Sequence, residues 1–229
     1  MVSLTLEKVR IPRAALLRLT SAIGGAAIFG ILAAPVTQAA YWPSAFALAL
    51  MYGLFFAGGA GYRIFIAVAF LDEARWAPSS WSAVTTATAL AALAVLIPLF
   101  REGEHALLVL AAYAVAINAA YIPAKFACLE AHCCHAQRRD AFLIRDRDLR
   151  WVEIVAGSVV FTATLSAIWL GLVATAAILG IGGHLAVRFV SGWSRNRLPG
   201  FSLKDEIKGQ ELLPLALLLA VTVWIASAL

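Results

Sequence analysis

A lysine, three cysteines and two histidines crowd into one short run, Lys125-Phe-Ala-Cys128-Leu-Glu-Ala-His132-Cys133-Cys134-His135, and Glu153, Arg188 and Arg195 follow downstream. Thiolate and imidazole together suit zinc or copper. Imidazole also takes and returns a proton near neutrality, and guanidinium or ammonium groups hold phosphate through charge-assisted hydrogen bonds. If a helix carries this run, Cys128, His132 and His135 lie at i, i+4 and i+7 and share one face. That spacing differs from the paired Cys-x2-Cys and His-x3-His clips of zinc sites. A metal or redox site, proton transfer by the histidines, and plain helix-end packing therefore all stay open. Three cysteines are an odd number, and a bridge between the adjacent Cys133 and Cys134 would need a strained ring, so thiols or metal ligands are the simpler readings.

The elements that must position these groups are membrane helices. Of 229 residues 62% are hydrophobic and 14% charged, more apolar and less charged than ordinary soluble domains. Apolar runs long enough to cross a hydrocarbon core recur along the whole length, at 14–36, 44–62, 83–100, 106–124, 153–170, 172–190 and 212–228. The expected fold is an all-α integral membrane protein of about seven transmembrane helices (six to seven), forming a single polytopic membrane domain over 1–229. The stretch from Glu153 to Val190 holds no ionisable Lys, Arg, Asp or Glu between its first residue and Arg188, and no proline. It is too long for one span at about 1.5 Å per residue, so the reading breaks it near Gly171 as a tight hairpin. The first run is longer than a secretory signal's apolar region, which favours a retained helix.

Seven spans would put the amino terminus and the segments 63–82, 125–152 and 188–211 on one side. Every Lys and Arg then falls there except Arg101, on the opposite side, and Arg18, inside the first span. The positive-inside rule makes that side cytoplasmic, and the expected location is a bacterial cytoplasmic (inner) membrane, crossed several times. The net charge of +5 is accounted for by membrane-facing loops, so nucleic acid is not an expected partner.

Four charges sit near predicted span ends on the basic side: Arg63, Lys125, Glu153 and Arg188. Ionisable groups at membrane depth are costly and face a cavity or a partner, unless long side chains reach back to the interface. Snorkelling is the better reading for Arg63; for Arg188, with His184 one turn away, the two readings are balanced. The run Arg138–Arg150 has nearly balanced charge and reads as a solvated or head-group-lying connection. Gly24, Gly25, Gly30, Gly58, Gly59, Gly61, Gly180, Gly182 and Gly183 read as sites of close helix packing.

The run Lys125–Gln137 resembles the signature loop of the prolipoprotein diacylglyceryl transferase family. Asp148-Leu-Arg-Trp-Val-Glu153 is similar to the segment that opens that family's fifth helix. Val187-Arg188-Phe189 with Arg195 is similar to its Arg-Phe-x-x-Glu-x-x-Arg element, and Gly209-Gln210 to the pair before its last helix. The four elements come in the family's order and cover about residues 120–229. The resemblance implies a seven-helix enzyme that moves diacylglyceryl from phosphatidylglycerol to the lipobox cysteine of a secreted preprotein. It puts Lys125 at a phosphate-contacting Arg, Cys128 at an Asn or Cys, Glu153 at the Glu opening the fifth helix and Arg188 at the essential Arg of the sixth. Ala127, His132 and Ala136 stand where the family has glycines, Gln137 where it has Arg, and Gly192 where it has Glu. The family's signature loop faces outward, whereas the charge distribution here puts this loop inside.

Three functional expectations follow. In the first, a diacylglyceryl-transferase-like protein binds or transfers from an anionic phospholipid such as phosphatidylglycerol. Arg188, Glu153, His132 and His135 would then be catalytic, Lys125, Cys128, Arg188 and Arg195 would bind lipid, and no cofactor or resident metal would be needed. Its partners would be the lipid and a lipobox preprotein or a membrane protein. In the second, the fold is a non-catalytic lipid-binding subunit of a larger complex. In the third, Cys128, His132, Cys133, Cys134 and His135 form a metal or redox site.

Overall fold

The computed structural model describes residues 13–40, 89, 92, 93, 96, 99–130, 148–195 and 212–229. Helix α1 spans Arg13–Ala40 and α2 spans Gly103–Glu130. They are followed by α3 (Leu149–Trp169), α4 (Val173–Arg195) and α5 (Leu212–Ala228). No strand occurs among the described residues. Residues 103–130, 149–169 and 173–191 are each long and apolar enough to cross a membrane, while 23–36 and 212–228 are shorter apolar helical stretches. The expected spans at 44–62 and most of 83–100 lie outside the described residues, although positions 89, 92, 93, 96 and 99 are helical and buried or half-buried.

Helix α2 is the central post. It is buried along most of its length, and its sequence explains why: Ala106, Ala111, Ala112, Ala114, Ala116, Ala120, Ala124 and Ala127 let neighbouring backbones approach on several sides. Helices α1, α3, α4 and α5 all pack on it. Ser21 and Gly25 of α1 meet the Ala116–Ala120 stretch in antiparallel order. The Ser21 hydroxyl donates to the Ala120 carbonyl at 2.5 Å, and a Cβ on Gly25 would lie 2.8 Å from that of Ala120. The bond lies three residues before Pro123, whose missing N–H frees the Ala119 carbonyl one position earlier in the helix.

The expected hairpin is present. Helix α3 ends at Trp169, α4 begins at Val173, and Gly171 takes a φ of +74°, a left-handed conformation that glycine adopts without steric cost. Helices α3 and α4 bury one stripe each and leave Val155, Val159, Ile178 and Leu179 outward, the pattern of helices that face lipid. Trp151 and Trp169 are both exposed and lie near the two ends of α3. Eighteen residues of helix separate them by about 27 Å, close to the ~30 Å of a hydrocarbon core whose two interfaces attract tryptophan.

Helix α1 runs four residues beyond its expected end and α4 five, and two further differences from the expected spans bear on the site. Helix α2 runs on past Ala124 to Glu130, so Lys125 and Cys128 are helical and not part of a loop. Helix α3 starts at Leu149, ahead of Glu153, capped by the Asp148 carboxylate, which accepts from the Arg150 backbone N–H at 3.0 Å. The Arg150 end of the charged run is therefore not a solvated connection. Arg150 is buried, forks onto Asp148 at 2.5–3.1 Å and donates to the Cys128 carbonyl at 3.3 Å. This clamp ties the C-terminal end of α2 to the N-terminal end of α3.

Candidate functional site

Just inside that clamp, the three central helices turn polar faces toward one another. On α2 the residues Asn118, Tyr121, Lys125 and Cys128 follow at helical spacing along one stripe. Helix α3 contributes Glu153, and α4 contributes Gly180, His184 and Arg188, one turn apart. From Cys128 to Asn118 the stripe descends about 15 Å along α2, roughly half the thickness of the hydrocarbon layer.

The inner members of this stripe are shut away. Lys125, Glu153, Arg188, His184 and Asn118 are at most 4% exposed, and Tyr121 is fully buried. Lys125 Nζ lies 2.8 Å from Glu153 Oε2, and the Tyr121 hydroxyl donates to Glu153 Oε1 at 2.9 Å. One carboxylate thus binds an ammonium and a phenol, both from α2. Tyr121 is the hub: Lys125 Nζ is 5.0 Å from its ring centroid and the Arg188 guanidinium carbon 5.8 Å, within cation–π range. The His184 ring meets it edge-on at 4.9 Å and 74°. Gly157 of α3 gives the ring its space, since a Cβ there would sit 3.0 Å from Tyr121 Cδ1.

Deeper still, the Asn118 amide nitrogen donates to the carbonyls of Ala114 (2.7 Å) and Gly180 (3.0 Å), and its oxygen faces His184 Nδ1 at 3.1 Å. The crossing of α2 and α4 must be tight for the Gly180 carbonyl to be reached. A Cβ on Gly180 would lie 2.6 Å from that of Ala114 and 2.8 Å from Thr164 Cγ2.

Of the residues expected from sequence, Lys125, Glu153 and Arg188 are brought together from three helices. Arg188 is buried among them and does not reach back to solvent. Cys128 is half-buried one turn outward, beside the Arg150 clamp. Arg195 is the last residue of α4. His132, His135, Cys133, Cys134 and Arg63 lie outside the described residues, and among the described residues no group of His, Cys, Asp and Glu is arranged to hold a metal. Tyr121, Asn118 and His184 were not among the expected site residues. Their mark in the sequence is spacing: Tyr121 precedes Lys125 by four, His184 precedes Arg188 by four, and Asn118 is a lone amide in an apolar span.

Two cations, Lys125 and Arg188, thus approach one buried aromatic ring inside the helix bundle, with Glu153 beside the first of them. Lys125 carries three N–H donors and Arg188 five. Glu153 and Tyr121 fix Lys125, while the Arg188 guanidinium is positioned by its place on α4 and by the Tyr121 ring. Comparison of the chain with protein-family models, curated proteins and solved structures finds no match in any of the three.

Proposed function

We propose that this chain is a multi-pass protein of the bacterial cytoplasmic membrane, with about seven spans, that takes the phosphate of an anionic phospholipid such as phosphatidylglycerol between Lys125 and Arg188. The observation that carries this reading is the convergence of Lys125, Glu153 and Arg188 from three helices on the buried Tyr121 ring. Charged side chains at membrane depth are expensive to keep and mark a ligand path or an internal partnership. A lipid phosphate is an anion that reaches such a place attached to its own hydrocarbon anchor. The resemblance of Lys125–Gln137, Asp148–Glu153 and Val187–Arg195 to diacylglyceryl transferases supports the same choice of ligand.

In the enzymatic form of this reading, a cysteine thiol of a preprotein attacks the glyceryl carbon that bears the phosphate ester. The carbon–oxygen bond breaks, a carbon–sulfur bond forms, and glycerol phosphate leaves with the electron pair. Arg188 and Lys125 stabilise the charge on the departing phosphate. His132 or His135 accepts the thiol proton. In the non-catalytic form, the same seat holds the lipid and the chain serves as a lipid-binding subunit of a larger membrane complex. The substitutions at the family's glycine positions, Ala127, His132 and Ala136, favour this second form, because a phosphate cradle exploits close backbone approach.

One comparison separates the two. Purified wild type and Arg188→Ala are assayed for transfer from phosphatidylglycerol to a lipobox peptide and, in parallel, for retention of phosphatidylglycerol over phosphatidylcholine. Transfer that falls about 10²- to 10³-fold in Arg188→Ala supports the enzyme. No transfer by either protein, with lipid retention lost only in the variant, supports the subunit. Lipid retention that is equal in both proteins contradicts the reading.

A further inference from the structure

The Asn118 side chain has only one orientation that satisfies it. Its nitrogen has two donors and meets two carbonyls, those of Ala114 and Gly180; turned over, its oxygen would face both carbonyls with nothing to accept. The amide oxygen is therefore the atom presented to His184 Nδ1 at 3.1 Å, and an oxygen can only accept. In the neutral imidazole the proton consequently lies on Nδ1, and Nε2 carries a lone pair. His184 is 1% exposed, and among the described residues Nε2 has no hydrogen-bond partner. A buried acceptor left unmet is costly. This one lies on a ring packed edge-on against Tyr121, the same ring that Lys125 and Arg188 flank.

We infer that His184 Nε2 is a specificity element which accepts a hydrogen bond from a hydroxyl of the bound lipid's head group. This rests on the lipid reading above and narrows it: the site distinguishes hydroxylated anionic head groups from equally charged ones that lack a hydroxyl. Lys125 and Arg188 read the phosphate, and His184, one turn deeper on α4, reads the alcohol beyond it. Asn118 acts through His184 by holding the tautomer that leaves the acceptor available.

The test uses the full-length protein in nanodiscs that contain phosphatidylcholine with either dioleoylphosphatidylglycerol or dioleoylphosphatidylpropanol, which carries the same charge and chains without head-group hydroxyls. Native mass spectrometry reads the lipid retained. Wild type retains phosphatidylglycerol about 5- to 10-fold over phosphatidylpropanol, the size of one hydrogen bond. His184→Asn, whose amide reproduces the inner contact to Asn118 but has nothing at the Nε2 position, holds both anionic lipids equally. His184→Gln, whose amide oxygen can occupy the Nε2 position, recovers part of the preference. Anionic retention with no hydroxyl preference in wild type, or with the same preference in His184→Asn, overturns the inference while leaving the lipid reading intact. No retention of either anionic lipid above phosphatidylcholine overturns both. Nitrogen-15 NMR of histidine-labelled protein gives an independent check: a neutral His184 protonated on Nε2 contradicts the inference.

Discussion

Glu153→Gln is the most informative single change in the buried cluster. It keeps the shape of the side chain, leaves the Tyr121 hydroxyl an acceptor, and removes the charge that faces Lys125. At the 2.8 Å separation of Nζ and Oε2, an effective dielectric constant of about 20 gives an attraction of about 6 kcal/mol. The desolvation of both ions offsets much of that in the intact pair. In the variant the attraction is gone while the desolvation cost of the buried Lys125 remains, and breaking such a pair costs about 3–5 kcal/mol. For a chain of this length, each kcal/mol moves a thermal midpoint by about 2–4 °C, so the expected fall is about 6–20 °C. The assay is thermal unfolding of the purified protein in detergent, run as a cycle with Lys125→Met and the double variant. Removing both charges together is far milder than removing one, so the double variant unfolds at a higher temperature than Glu153→Gln alone. A fall of less than about 2 °C for the single variant, or effects that simply add, would refute the reasoning.

Three further outcomes are expected. Gly180→Ala places a methyl group 2.6 Å from Ala114 Cβ; the overpacking costs about 1–3 kcal/mol, read as a lower unfolding midpoint, and it loosens the Asn118 bond to the Gly180 carbonyl. Asp148→Ala removes the cap of α3 and one anchor of Arg150, costs about 1 kcal/mol, and speeds amide hydrogen exchange in the first turn of α3 ahead of the rest of that helix. Gly171→Ala forces an L residue to a φ of +74° and costs about 1 kcal/mol, whereas Gly171→Asn, which tolerates this region better, costs less; unfolding midpoints of the two variants decide it.

Much of this architecture was legible in the residues, and the parts that were not have a common physical cause. The hairpin at Gly171 could be read because a charge-free run too long for one span must turn, and glycine is where it turns most easily. The end of α2 could not be read in the same way. Lys125 looks like a membrane border when its neighbours along the chain are all that is known, and it becomes an interior residue only because Glu153, far away in sequence, neutralises it. Arg150 was misplaced for the same reason: in a run of alternating charges nothing marks it as the residue that folds back on Asp148 and reaches Cys128. Lys125, Glu153 and Arg188 stood out because charge in an apolar helix is conspicuous. Tyr121, Asn118 and His184 did not, since an aromatic or an amide in a span is ordinary until its partner on another helix is known.

Entry of a lipid phosphate between α2, α3 and α4 is the event on which the proposed function depends. A phosphatidylglycerol analogue with a photoreactive group on its head group, incorporated in nanodiscs with the full-length protein, tests this most directly through the peptides it labels. The expected labels fall on the inward residues of 118–128, 149–157 and 184–191, are reduced in Arg188→Ala and are competed away by unmodified phosphatidylglycerol. Labels confined to outward residues such as Val159, Leu217, Val223 and Trp224, unchanged by Arg188→Ala, would contradict the proposed function.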